Sequence, residues 1–181
     1  VGEAGTIIKT TDGGISWVSL NSGTNADLYS VYFVDFNTGW AVGNAGRIVK
    51  TVNGGLNWTP QTAPGADNLN GVKFTSSTNG YACGDNGKVI YTLNGGTNWL
   101  SYTTGSTIKL TSIDVNGSII IASGFEAKIL KYDGSVWSTI DYKIVTKTDV
   151  RSVSMINPTT FYTCGGGGFV NKTTDGGATR V

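Results

Sequence analysis

The sequence predicts an all-β chain organised as a β-propeller of four-stranded blades, and three landmarks with one shared period carry that prediction. Trp17, Trp58 and Trp99 stand 41 residues apart, Trp137 follows after 38, and Arg180 takes the next place. Gly2, Gly43, Gly84, Gly124 and Gly165 recur at intervals of 41, 41, 40 and 41. An apolar triple at i, i+3, i+5 reads Leu28/Val31/Phe33, Leu69/Val72/Phe74, Leu110/Ile113/Val115 and Val150/Val153/Met155. A period of about 40 residues filled with short β-branched and aromatic runs is the signature of a propeller blade. No useful stretch shows the 3.6-residue apolar period of a helix.

Within each repeat the elements follow in order. The first strand, 28–35 in the clearest copy, carries the triple with a small residue inside it: Ser30, Gly71, Ser112 or Ser152. The second is the Gly-Trp-Ala-Val-Gly run at 39–43, with Tyr81, Ile121 and Tyr162 at the place of Trp40. The third runs from Arg47 to Thr51 and the fourth starts near Trp58, with Gly, Asn and Asp in the gaps. Residues 1–20 then form a partial blade, followed by blades at 21–62, 63–104, 105–145 and 146–181, the last with an incomplete final strand. A blade cannot bury both faces alone, so the triples and the tryptophans are expected to form cores between stacked blades. About four and a half blades leave two apolar faces to cover. The expectation is therefore part of a larger propeller, of about seven blades, or open faces covered by another copy or another protein.

A turn block precedes each tryptophan. Thr10-x-Asp12-x-Gly14-x-Ser16-Trp17 recurs with Asn53, Gly55 and Trp58, with Asn94, Gly96 and Trp99, and with Asp175 and Gly177. The copy with Asp133 and Trp137 is one residue short and is expected to turn differently. The Asp or Asn side chain is expected to accept backbone N–H groups of its own turn. The second glycine is expected at positive φ, and each tryptophan to be mostly buried. Asn replaces Asp in two copies and cannot act as an acid, so a structural role is assigned.

The block is similar to the Asp-box of the bacterial neuraminidase repeat. The wider pattern, followed almost throughout from Leu28 to Trp58 as LYSVYFVDFNTGWAVGNAGRIVKTVNGGLNW, resembles the photosystem II stability/assembly factor-like repeat family. That resemblance implies seven-bladed, non-enzymatic propellers, whose photosynthetic members hold a reaction-centre subunit on an Arg-rich surface. Here Arg47, Arg151 and Arg180 are all the arginines there are. The same repeat also occurs in secreted bacterial and phage proteins.

Composition narrows the function classes. Thirteen Lys and Arg against 12 Asp and Glu give a net charge of +1, with no basic excess for nucleic acid or anionic lipid. No apolar run is long enough for membrane insertion. His is absent, which removes the commonest general base and metal ligand. No cofactor, metal or catalytic residue is expected. Sialidase-like hydrolysis, the enzyme alternative, would need, as the resemblance to the neuraminidase repeat implies, three converging arginines, and Arg47, Arg151 and Arg180 stand at three different blade positions. The favoured reading is a non-catalytic protein-binding or structural scaffold module, with a glycan-binding module as the other alternative. Tyr29, Tyr32, Tyr102, Phe125 and Tyr142 are the candidate exposed aromatics. Lys9, Lys50, Lys131 and Lys172 read as solvated edge protection. Cys83 and Cys164, two blades apart, are expected as buried thiols. Many Gly, Thr, Asn and Ser with few charges suggest an extracytoplasmic protein: secreted, periplasmic, cell-surface or virion.

Overall fold

The computed structural model describes residues 1–141 and 148–179; Tyr142 and Arg180 lie outside them. It is all-β, with only single 3-10 turns among the described residues. The first sheet pairs β1 (Ile7–Lys9) with β2 (Val18–Leu20). The second holds β3 (Leu28–Phe33), β4 (Gly39–Gly43), β5 (Ile48–Thr51) and β6 (Thr59–Gln61), in chain order. The third holds β7 (Leu69–Phe74), β8 (Gly80–Gly84), β9 (Val89–Thr92) and β10 (Leu100–Ser101). The fourth holds β11 (Leu110–Asn116), β12 (Ile119–Gly124), β13 (Lys128–Tyr132) and β14 (Trp137–Asp141). The last has β15 (Val150–Met155), β16 (Phe161–Gly165) and β17 (Val170–Thr173). Such sequential antiparallel meanders are propeller blades.

The chain divides into two compact units: Val1–Ala82 with Ile90–Ser101, and Cys83–Val89 with Tyr102–Val181. In the first unit, Trp40, Val42 and Ile48 of the second sheet pack on Leu69, Val72, Phe74, Ala82, Ile90 and Trp99 of the third. Trp40 lies flat on Phe74, ring centroids 3.5 Å apart at 10°. Ile7, Leu28, Ala41, Val49 and Trp58 form a second core between the first and second sheets. In the second unit Ile121 and Ile129 pack on Val150, Val153 and Phe161. Period-two alternation sends successive residues to opposite faces, so the second sheet feeds both cores of the first unit.

Register is pinned at the start of three first strands by a bulge, between Leu28 and Ser30, Leu110 and Ser112, and Val150 and Ser152. The recurrent glycines follow from the turn between the second and third strands. Gly46 sits at φ +69, and a Cβ there would stand 2.5 Å from the Gly65 carbonyl oxygen, so both conformation and space require glycine. A side chain just ahead of the next first strand caps this turn. Asp27 Oδ1 accepts from Ala4 N, Asn68 Oδ1 from Ala45 N and Asp149 Oδ1 from Glu126 N, at 2.8, 2.9 and 3.3 Å.

The first apolar triple departs from its expected role. Leu28 is buried, but Val31 and Phe33 are each 40% exposed, against 6% and 1% for Val72 and Phe74. The first sheet has two strands among the described residues, too few to cover all of β3.

Candidate functional site

The turn blocks form local hydrogen-bonded cages. Thr10 Oγ1 donates to Asp12 Oδ1 and accepts from Gly14 N, at 2.7 and 2.9 Å. Asp12 Oδ1 also accepts Ser16 N at 2.9 Å, and Asp12 Oδ2 takes the Ser16 hydroxyl at 2.6 Å. Those bonds, with the Ser16 hydroxyl first, lower the Asp12 pKa to about 2. Asn53 and Asn94 accept the N–H groups of Asn57 and Asn98 in the same way, at 3.0 and 2.9 Å. Asp175 takes both the N–H and the hydroxyl of Thr179, which holds its carboxyl far below the ordinary range. Asp thus occurs with a hydroxyl residue four positions on, which fills its second oxygen, and Asn occurs with Asn. Both turn glycines have positive φ: Gly54 and Gly55 at 68 and 90, Gly95 and Gly96 at 68 and 90. In the short copy Asp133 Oδ1 accepts Ser135 N and Val136 N instead, a tighter turn.

The tryptophans behave unequally. Trp58 and Trp99 are 7% and 5% exposed, but Trp17 is 57% exposed. Trp58 and Trp99 lie in cores with the preceding sheet, whereas Trp17 belongs to the first sheet and no sheet precedes it in the described chain. Trp137 is half-buried beside Tyr102 and Tyr132. The expectation of uniform burial is corrected at Trp17. Cys164 is likewise exposed, while Cys83 is buried; neither forms a disulfide. Cys164 lies on the last described sheet, at the place that Val42 holds inside a core.

The lysine row is a second correction. Lys9 Nζ donates to Gly54 O, Lys50 Nζ to Gly95 O and Lys131 Nζ to Gly176 O, at 2.8, 2.9 and 3.0 Å. Each ammonium therefore ties a third strand to the turn block of the following blade, 45 residues on. Tyr91 is the one substitution in this row, and the turn block of the following blade, at 131–137, is the short copy. Gln61 adds to the same lock: its Nε2 donates to Gly95 O and its Oε1 accepts Trp99 Nε1, each at 3.2 Å. Trp40 Nε1 completes the set at 3.2 Å.

The corresponding place between the first and second sheets is built from the same parts but is open. Leu20 replaces Gln61, and Trp58 Nε1 is buried without a partner among the described residues. A cavity of about 560 Å³ lies there, walled by Ile7, Leu20, Val31, Phe33, Phe36 and Trp58, with Lys9 and Asp35 at its polar margin. Phe36 is among the most exposed large side chains, and Lys9 Nζ stands 4.9 Å from its ring centroid. Asp35 Oδ1 accepts Asn37 N and Thr38 N at 2.7 and 2.8 Å, which lowers its pKa. Phe33 and Phe36 escape a sequence reading because Phe33 occupies a core position of the repeat. Of the aromatics singled out from sequence, Tyr29 and Phe125 are exposed, Tyr32 has Lys73 over its ring, and Tyr102 packs on Tyr132. Arg47 and Arg151 are exposed, and the Arg180 expectation lies outside the described residues. Among the described residues no group of three or more His, Cys, Asp and Glu could hold a metal. None of their helices is long and apolar enough to cross a membrane.

Antiparallel meanders joined by Asp-box turns define the class as a β-propeller of the bacterial neuraminidase repeat type. Within that class, residues 16–100, just under half of the chain, match the family model described as photosynthesis system II assembly factor YCF48. No curated protein matches the chain in sequence. Among solved structures, YCF48 bound to D1 peptide superposes with a TM-score of 0.69 at 17% identity, over 97% of this chain and 59% of that one. YCF48 from Cyanidioschyzon merolae gives 0.71 at 17% identity, over 100% of this chain and 67% of that one. An ancestral GH74 enzyme gives 0.76 at 14% identity, over 99% of this chain and 28% of that one. The chain thus spans less than two-thirds of the D1-bound YCF48 chain, and at these identities the superpositions establish the fold. The match to the model described as a photosystem II assembly factor overturns the extracytoplasmic expectation. The glycine, threonine, asparagine and serine content that prompted that expectation is spread through the turns and strands of the repeat and carries no compartment signal.

Proposed function

We propose that this chain is a non-catalytic, protein-binding propeller module that receives a peptide segment of its partner in the groove of the first unit. The observation that carries the reading is the groove itself: an apolar cavity with exposed Val31, Phe33 and Phe36 on its wall. Contiguous exposed apolar surface of this kind marks interaction sites. The YCF48 structure with a D1 peptide supports a peptide as occupant.

Glycoside hydrolysis, which the fold of the GH74 enzymes brings to mind, calls for a carboxylate pair with one member protonated. The groove wall carries Asp35 alone, and its two backbone N–H bonds favour the ionised form. The test is calorimetric titration of the 181-residue protein with a D1 peptide. Saturable binding that Phe36→Asp weakens supports the reading; no heat of binding at millimolar peptide contradicts it.

A further inference from the structure

The sequence holds the pairs Asn53-Gly54, Asn70-Gly71, Asn79-Gly80, Asn86-Gly87, Asn94-Gly95 and Asn116-Gly117. Asparagine before glycine is the pair most open to spontaneous deamidation, because no Cβ hinders attack of the glycine nitrogen on the side-chain Cγ. The attack needs a glycine N–H that is not already engaged and room to close a five-membered ring. Native hydrogen bonds therefore decide which pairs react, since an engaged N–H must first be freed by local opening. Gly54 N donates to Asn37 O at 2.9 Å, and Gly95 N to Thr78 O and Gly87 N to Ile108 O, each at 2.7 Å. The Asn53 and Asn94 side chains are also held, by Thr51 and Asn57 and by Thr92 and Asn98. Gly71 is buried inside β7, and Gly80 is buried at the start of β8 against the Phe74 ring. Asn116-Gly117 differs from all of these. Asn116 ends β11, and the exposed Gly117 and Ser118 turn the chain into β12. Gly117 N donates to no backbone carbonyl among the described residues, and a Cβ on Gly117 would meet nothing within 4 Å.

Asn116 also stands at the end of a seam inside the second unit. Strands β11 and β15 belong to different sheets, and side chains of β11 join them. Thr111 Oγ1 donates to Val150 O at 2.8 Å, Ser112 Oγ accepts Val153 N at 3.4 Å, and Asp114 Oδ2 accepts Met155 N at 2.7 Å. Asn116 Nδ2 closes the row with a long bond of 3.4 Å to Ile156 O.

We propose that Asn116 is a self-modification site whose deamidation loosens the seam between the fourth and fifth sheets. The deprotonated Gly117 nitrogen bonds to Asn116 Cγ, the Cγ–Nδ2 bond breaks, and ammonia leaves. Water then opens the resulting succinimide at either carbonyl and yields aspartate or isoaspartate. Either product lacks the Nδ2 donor and sets a carboxylate against the Ile156 carbonyl oxygen, so an attractive contact becomes a repulsive one. Isoaspartate also lengthens the main chain by one methylene where Asn116 pairs with Ile119. The site lies outside the groove and is independent of the protein-binding reading.

The test ages the folded protein at mildly alkaline pH, beside a sample held unfolded in denaturant, and follows each Asn-Gly pair by peptide mass spectrometry. In the folded sample Asn116 is expected to convert severalfold faster than any other pair, and in denaturant the differences between pairs are expected to shrink. Asn116→Gln, whose ring closure is slower, is expected to lose the fast conversion. Conversion of another pair as fast as Asn116 in the folded protein would overturn the proposal. So would an Asn116 that stays intact after the unfolded sample has converted. The consequence is read separately in Asn116→Asp by amide hydrogen exchange. Faster exchange at Val153 and Met155 than in the unmodified protein is expected, and unchanged exchange there would overturn the loosening of the seam.

Discussion

Asp12 shows how one side chain closes a turn without any catalytic duty. Both of its oxygens are used, on Thr10 and on the N–H and hydroxyl of Ser16, and its pKa falls to about 2. A carboxyl whose folded pKa lies below its unfolded one stabilises the fold above the unfolded value, and that stabilisation is lost as pH falls toward the folded one. Acid unfolding should therefore steepen from about pH 4 down to about pH 2, with Asp175 contributing in the same direction. Asn53 and Asn94 do not titrate. Asp12→Asn is expected to flatten the acid limb of a stability-versus-pH curve by lowering stability at neutral pH, where the carboxylate's bonds to Ser16 contribute, while changing it least in acid. An unaltered acid limb in this variant would remove the proposed contribution of the turn carboxylates.

The paired sheets show which parts of the element pattern the sequence carries. The 41-residue period, the four strand positions and the turn blocks were all legible, because backbone alternation and glycine conformation leave local marks. Core membership was not, since it depends on which sheet faces a neighbour: Trp17 and Trp58 share one motif and differ in exposure from 57% to 7%. Trp58→Ala should cost roughly 3–5 kcal/mol, as other large core truncations do, and Trp17→Ala less than about 1 kcal/mol, both read by denaturant unfolding. The lysine locks were hidden for the same reason, because their acceptors lie 45 residues on. Leu20 offers a direct probe of that lock. Leu20→Gln places an amide where Gln61 joins Trp99 Nε1 to Gly95 O, and so reaches the orphan Trp58 Nε1 and Gly54 O. It should be more stable than Leu20→Asn, which is too short to bridge, by about 1 kcal/mol or more. Equal stabilities would mean that no lock forms there.

At the scale of the whole molecule, the fold is a set of near-equivalent blades, and the proposed binding site lies where the first interface departs from the second. The first interface keeps the Phe33/Trp58 pair and the Lys9 lock, yet leaves an apolar cavity of about 560 Å³. That departure had no sequence signal of its own, because Val31 and Phe33 are the same residue types that close the next interface as Val72 and Phe74. Partner binding at this cavity is the central claim, and amide hydrogen exchange across the whole chain, with and without saturating D1 peptide, tests it most directly. The account predicts slowed exchange confined to β1 (Ile7–Lys9), β3 (Leu28–Phe33) and the turn at Gly54 and Gly55. Protection in the fourth and fifth sheets instead, or none anywhere at saturation, would contradict it.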